Sequence, residues 1–298
     1  MRSVMVFPLV AGLFLMSRAR DALACATCGC GDPTLTAMGT EKPFENRLRA
    51  SLDVRHRTDH IGEKGVDRID LAETRLDGQL AWAPTGDLFF LATVPVLHRT
   101  VDYVSGATSR TVGLGDIELR AKGFVFADRP YAPRHLFAVL AGLKLPTAPP
   151  ERADDGSELP IEVQPGTRSW DPMLGVSYAF FPRPWSFYAS AQGSTPVRGT
   201  ASFRASPSLR MTASVQRQLV PELALRLGVD ARLDGRAYED RRPERDSSGF
   251  IAFASSEILF GPMTDVLFVL SAKVPVAQAL AGFHREGPIF GAGVAYDF

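Results

Sequence analysis

The chain has 298 residues, 45% of them hydrophobic and 22% charged, a balance that excludes a disordered or collagen-like polypeptide. Lys plus Arg and Asp plus Glu both number 33, so no basic excess points to nucleic acid as a partner, and 3 Cys are too few for a disulfide-dense scaffold. A mean hydropathy of zero excludes a polytopic helical membrane protein, whereas 19 Phe, 26 Gly and 22 Pro suit many strands and turns.

Arg2 followed by the apolar run Val4 to Met16, too short to span a bilayer, reads as a secretory signal peptide over 1–24. Ala22-Leu23-Ala24 supplies the small-x-small cleavage pattern. Removing 1–24 leaves 30 basic and 32 acidic residues in an exported protein. Cys25, Cys28 and Cys30 then open a periplasmic segment, 25–45, in an oxidising compartment. Three thiols this close form one disulfide with a thiol left over, chelate a soft metal as thiolates, carry a lipid on Cys25, or stay unmodified. Gly29 rather than His follows Cys28, so the c-type haem pattern is absent, and nothing else in the chain calls for a cofactor.

From residue 46 onward the pattern is apolar/polar alternation with period two, the signature of strands. In the first, Leu48, Ala50, Leu52 and Val54 oppose Arg47, Arg49, Ser51, Asp53, Arg55 and Arg57. In the second, Thr74, Leu76, Leu80 and Trp82 oppose Glu73, Arg75, Asp77 and Gln79. Roughly 88–98 follows as the third. Ile117, Leu119, Ala121 and Val125 then oppose Asp116, Glu118, Arg120 and Lys122. Further strands fall near 135–145, 169–180, 185–194 and 208–218. Leu225, Leu227, Val229, Ala231 and Leu233 oppose Arg226, Asp230, Arg232 and Asp234, and 249–260, 265–275 and 288–298 complete twelve.

Connection lengths separate a soluble sandwich from a membrane barrel. Short links at Pro84–Asp87, Asp128–Arg134, Phe181–Pro184, Val220–Glu222 and Gly261–Thr264 alternate with long ones at 58–68, 99–112, 146–168, 195–207, 235–248 and 276–287. That asymmetry predicts an all-β, antiparallel, up-and-down transmembrane barrel of about 12 strands over 46–298, with short periplasmic turns and long extracellular loops. Aromatics beside the short turns, among them Trp82, Phe89, Phe90, Phe124, Phe126, Tyr178, Phe187 and Phe260, read as an interfacial girdle. Pro95, Pro146, Pro196 and Pro275 are expected near strand ends. The chain closes on Phe290, Ala292, Val294, Tyr296 and Phe298, which resembles the assembly signal of outer-membrane barrels.

The signal peptide, the start Cys28-Gly29-Cys30-Gly31-Asp32-Pro33-Thr34-Leu35-Thr36 and the strand pattern ending in Phe298 resemble a family of outer-membrane transporters labelled for the meta-pathway of phenol degradation. The resemblance implies a barrel in the outer membrane of a Gram-negative bacterium that passes or binds a small, hydrophobic or amphipathic solute. Its expected partners are outer-membrane lipid and lipopolysaccharide, the barrel assembly machinery with periplasmic chaperones, and that solute.

With the apolar faces on lipid, the polar ones line a lumen: Arg47, Arg49, Asp53, Arg55, Arg57, Glu73, Arg75, Asp77, Asp116, Glu118, Arg120, Lys122, Arg226, Asp230 and Arg232. Two readings stay open, a water-filled path of mixed charge and a lumen plugged by cross-strand ion pairs. The third, tenth and eleventh strands present Phe89, Leu91, Ile251, Phe253, Leu267 and Val269 inward. His56 and His60 sit four apart, about a dozen ångströms on a strand and too far for one metal. Glu151, Asp154, Asp155, Glu158 and Glu162 form an acidic loop, either solvated or gathering divalent cations. No His is followed two residues later by Ser, as in a barrel phospholipase, and neither a Walker loop nor G-x-S-x-G occurs, so an enzyme is not expected. A non-conducting barrel that binds a ligand, or anchors a periplasmic partner through 25–45, is the alternative to a channel.

Every strand lies downstream of Cys30, so replacing Cys25, Cys28 and Cys30 with Ser is expected to leave barrel formation intact, measured as the difference in gel migration between unheated and heated protein, while abolishing any disulfide, metal or acyl chain.

Overall fold

A computed structural model describes residues 43–298 except 44, 154, 157, 160, 198–202, 240, 241 and 244–246. The expected signal peptide 1–24, Cys25, Cys28, Cys30, most of the segment 25–45, and Asp154 lie outside the described residues.

The alternating stretches form β1 (Arg47–Ile61), β2 (Ile69–Thr85), β3 (Leu88–Tyr103), β4 in two arms (Thr108–Leu114 and Glu118–Ala127), β5 (His135–Lys144) and β6 (Asp171–Phe180). They continue as β7 (Trp185–Ser194), β8 (Ser208–Val220), β9 (Leu223–Asp234), β10 (Gly249–Met263), β11 (Val266–Leu280) and β12 (Arg285–Asp297). Each strand pairs antiparallel with the next, and β12 returns to β1 in a ladder from Arg49↔Asp297 to His60↔Arg285. The sheet is a closed barrel of twelve strands without a free edge. Two-residue strands in the loops after β7 and β9 add a small separate sheet.

The burial pattern is inverted relative to a soluble protein. Leu52, Leu76, Leu80, Val94, Leu174, Leu270 and Phe290 are exposed on the outside, whereas Arg49, Asp77, Lys122, Arg226 and Glu257 are buried. Water on the outer wall would make so continuous an apolar surface costly, and hydrocarbon there makes it favourable. Near the short turns the outward aromatics pair across strands, Trp82 with Phe90, ring centroids 6.2 Å apart, Phe180 with Phe187 at 6.1 Å and Phe260 with Phe268 at 6.5 Å, and at the chain end Tyr296 packs against Phe298 at 4.8 Å. The N–H of Phe298 donates to the Leu48 carbonyl at 2.9 Å, the last rung of the closure. Two aromatics beside the short turns face inward: Phe89 is fully buried inside, as the expected inward face of the third strand has it, and Phe124, expected in the girdle, packs against it.

Several expected boundaries shift for one reason. The ladders of β1–β2 and β3–β4 run on past the apolar band, and β11 and β12 are prolonged by pairing with β10 and β1, so the expected loops 58–68, 99–112 and 276–287 shrink to turns at 62–68, 104–107 and 281–284. Strands of 15 to 17 residues exceed the roughly 9–11 that cross a bilayer and stand beyond it. Pro146 and Pro196 follow strand ends, but Pro95 and Pro275 lie within β3 and β11. Pro95 faces the gap between the arms of β4, where its carbonyl accepts from Gly115 N–H at 2.9 Å. Pro275 borders a bulge that shifts register between Ala252 and Phe253 of β10. Each occupies a place where the ladder is already interrupted, so its missing N–H costs little.

Placing the outer wall in lipid has a measurable consequence. Leu52→Arg should destabilise the barrel in phospholipid vesicles by about 2–4 kcal/mol, measured by denaturant unfolding, whereas Val66→Arg, equally exposed but in the β1–β2 turn, should cost less than about 0.5 kcal/mol. Equal costs would remove hydrocarbon from the outer face.

Candidate functional site

Inside the barrel the polar positions meet one another, most inward carboxylates standing within reach of a facing guanidinium or ammonium group. Asp297 accepts from Arg47 (Nη2, 2.5 Å) and Arg49 (Nε, 2.6 Å). Asp77, buried at 1% exposure, accepts from Arg75 at 2.7 Å and from Arg55. Glu73 accepts from Arg57 at 2.9 Å and from Arg99 at 2.9 Å, and Arg57 reaches on to Asp59 at 3.0 Å. Two arginines thus share one carboxylate at successive levels of the wall. All four arginines of the β1 stripe are paired, as the plugging alternative requires.

Elsewhere the pairs are simpler. Arg120 donates to Glu118 at 2.6 Å. Arg226 bridges Glu257 (2.6 Å) and Gln216 (2.7 Å), Arg232 holds Asp234 at 2.5 Å and also Glu286, and Lys273 meets Asp230 at 3.0 Å. Asp53 accepts from Gln79 at 3.1 Å. Lys122 is 1% exposed, its Nζ 5.8, 5.3 and 5.4 Å from the ring centres of Phe89, Phe124 and Tyr188, an arrangement that stabilises an ammonium through the ring quadrupoles. Leu91, Ile251, Phe253 and Leu267 are buried too, and Val269 packs against the cluster of Leu259 and Leu267.

The loop between β5 and β6 turns into the mouth instead of away from it. Val163 packs with Leu71 and Val101 in a cluster flanked by Ile69, Tyr103 and Leu159, and Arg99 donates to the carbonyls of Glu162 (2.9 Å) and Gln164 (2.7 Å). Asp116, in the gap between the arms of β4, is the anchor. Its Oδ1 accepts from Ala148 N–H at 3.1 Å, and its Oδ2 from Thr167 and Arg168 N–H at 2.9 and 3.1 Å. Asp116, placed by the alternation among the lumen-lining charges, borders the cavity and gives its oxygens to backbone amides. Lys144 completes the anchor, donating to Thr167 Oγ1 at 2.6 Å and pairing with Asp171 at 2.5 Å.

Arg99, Asp59 and Glu286 join this interior although the strand pattern assigns them to loops. The signal was present: the inward positions Phe89, Leu91, Thr93, Pro95 and Leu97 lead in steps of two to Arg99. His56 and His60 stand apart from it, the first on Thr74 at 2.9 Å and the second on Asp70 at 2.5 Å. Glu158 of the acidic loop pairs with Arg168 at 2.6 Å. Among the described residues, no group of three or more His, Cys, Asp or Glu is placed to hold a metal.

Under the tucked loop lies a cavity of about 250 Å³, bordered by Arg57, Arg75, Arg99, Arg120, Lys144 and Arg210 and by the acids Glu73, Asp116, Glu118 and Asp171. Its lining is a charged wall interrupted by Pro95, Leu97, Ile161, Pro165 and Met173.

No known protein family and no curated protein matches the chain. Solved structures do. An outer-membrane channel from Pseudomonas putida F1 superimposes with a TM-score of 0.69 at 13% identity, over 90% of this chain and 99% of that one. The transport unit of the Escherichia coli autotransporter AIDA-I follows at 0.52 and 9%, covering 89% and 94%, and the β domain of the Bordetella autotransporter BrkA at 0.51 and 9%, covering 85% and 100%. The likeness is one of fold: a closed antiparallel β-barrel.

Removing the anchor should free the loop. Asp116→Ala strips one acceptor from three backbone N–H groups, hydrogen bonds to a charged group that are worth about 1.5–3 kcal/mol each. Trypsin cleavage at Arg152 and Arg168 of folded barrels should therefore accelerate about tenfold or more, read by mass spectrometry, with gel migration of the uncut barrel unchanged.

Proposed function

We propose that this barrel is a passive outer-membrane channel for a small amphipathic solute. The carrying observation is the cavity under the β5–β6 loop, where a water-facing charged wall and apolar side chains line one space inside a lipid-facing shell. A channel needs a path that is polar enough to stay wet and narrow enough to select. The ion-paired wall provides the first, and the tucked loop narrows the mouth. The likeness in fold to an outer-membrane channel from Pseudomonas putida F1 supports the same reading, as does the resemblance to the transporter family labelled for phenol degradation. Export by residues 1–24, recognition of Tyr296 and Phe298 by the assembly machinery, residence in the outer membrane facing lipopolysaccharide, and passage without catalysis belong to this proposal.

A second reading rests on a separate observation. At the short-turn end the interior is packed with apolar side chains, including Phe89, Leu136, Tyr188, Leu259 and Leu267, which favours a barrel closed at that end that binds a ligand or anchors a periplasmic partner through 25–45.

Conductance decides between them. Purified barrels in planar bilayers should conduct, and replacing 149–164 with a short Gly-Ser linker should raise single-channel conductance about twofold or more. Silent bilayers for both proteins, with folding verified by heat-dependent migration, would overturn the channel and leave the binding barrel.

A further inference from the structure

Among the described residues, one lumen guanidinium stands outside the pairing. Arg210 on β8 borders the cavity, yet among the described residues it makes no ion pair or side-chain hydrogen bond. The charges that reach it without contact are those of Glu118, Arg120, Arg232 and Asp234. Its cross-strand neighbours are Arg232 and Gln192, so on one side a like charge stands directly opposite, an unfavourable placement. Arg232 is neutralised by Asp234 and Glu286; Arg210 is not. Two further donors on the same cavity lack a proper acceptor. Arg120 is 7% exposed, and its Nε, buried, has no partner. The amide nitrogen of Gln192 donates to nothing better than the thioether of Met173, at 3.1 Å, and sulfur is a weak acceptor.

Donors without acceptors around a surplus guanidinium describe an anion site, and the apolar half of the lining describes what the anion carries. We propose that Arg210, Arg120 and Gln192 form a binding site for a small organic carboxylate with a short apolar tail. The carboxylate sits on Arg210, which can present two parallel N–H groups to its two oxygens, with Arg120 Nε and the Gln192 amide completing its hydrogen bonds. The tail lies against Pro95, Leu97 and Met173. A cavity of about 250 Å³ is smaller than those that enclose drug-sized ligands and so sets a short tail. Occupancy also relieves the repulsion between Arg210 and Arg232. This inference names the solute class of the proposed channel and so rests on that reading, but binding is measurable without flux.

The test uses the barrel in lipid nanodiscs, with hexanoate as probe, acetate and hexanamide as comparisons, and calorimetric titration against empty nanodiscs. Hexanoate should bind saturably, acetate at least about tenfold more weakly for want of a tail, and hexanamide not measurably for want of charge. Arg210→Gln, which loses no ion pair and should fold, is expected to weaken hexanoate binding about tenfold or more, with Arg210→Lys between the two. Absence of saturable binding, equal binding of hexanamide or of acetate, or an Arg210→Gln barrel that binds as the parent does would each overturn the site. Binding without conductance would overturn the channel and keep the site, and conductance without binding would do the reverse.

Discussion

Everything in this molecule depends on the pairing of the last strand with the first. In hydrocarbon an unpaired N–H or C=O costs several kcal/mol, and a twelve-strand sheet left open would carry two full rows of them. The β1–β12 ladder, from Arg49↔Asp297 to His60↔Arg285, removes both rows. Once the sheet is closed, the alternation of side chains acquires a fixed meaning, because odd and even positions can go only to lipid or to lumen. Apolar residues that a soluble protein would hide become its outer surface, and the charged residues become its interior.

That interior has electrostatic rules of its own. The wall behind it is of low dielectric, so charges facing one another across a narrow lumen interact strongly and an uncompensated one is costly. The structure answers with sharing: Asp297, Asp77 and Glu73 each hold two arginines, which uses both oxygens of each carboxylate. Such a wall is close to neutral where it is paired. Against it Arg210, at the cavity under the tucked loop, stands out as a guanidinium that meets no carboxylate among the described residues.

The loop itself shows how backbone groups compete with ions for the same carboxylates. The gap between the two arms of β4 lets Asp116 turn its side chain to the N–H groups of Ala148, Thr167 and Arg168, and the carboxylate becomes a fastener rather than part of the charged path. Pro95, opposite that gap, and Pro275, beside the β10 bulge, repeat the principle in the wall, each taking a position where a ladder bond is already lost.

The amino-acid sequence by itself determined the barrel class, the strand count, the positions of the short turns and, in the first, second, fourth and ninth strands, the division into an apolar and a charged face. Those features are local: period-two alternation, Gly and Pro at turns, and aromatics beside them are written within a dozen residues. Tertiary structure alone decided that Phe124 points inward, that three loops shrink to turns, that Arg99, Asp59 and Glu286 belong to the lumen, and that Asp116 fastens a loop. It also decided which guanidinium meets which carboxylate, and that Arg210 meets none among the described residues. Those outcomes depend on stagger between strands, on bulges that shift register, and on which strands face across the closed barrel. They are relations between residues as far apart as Arg47 and Asp297, and no local period encodes them.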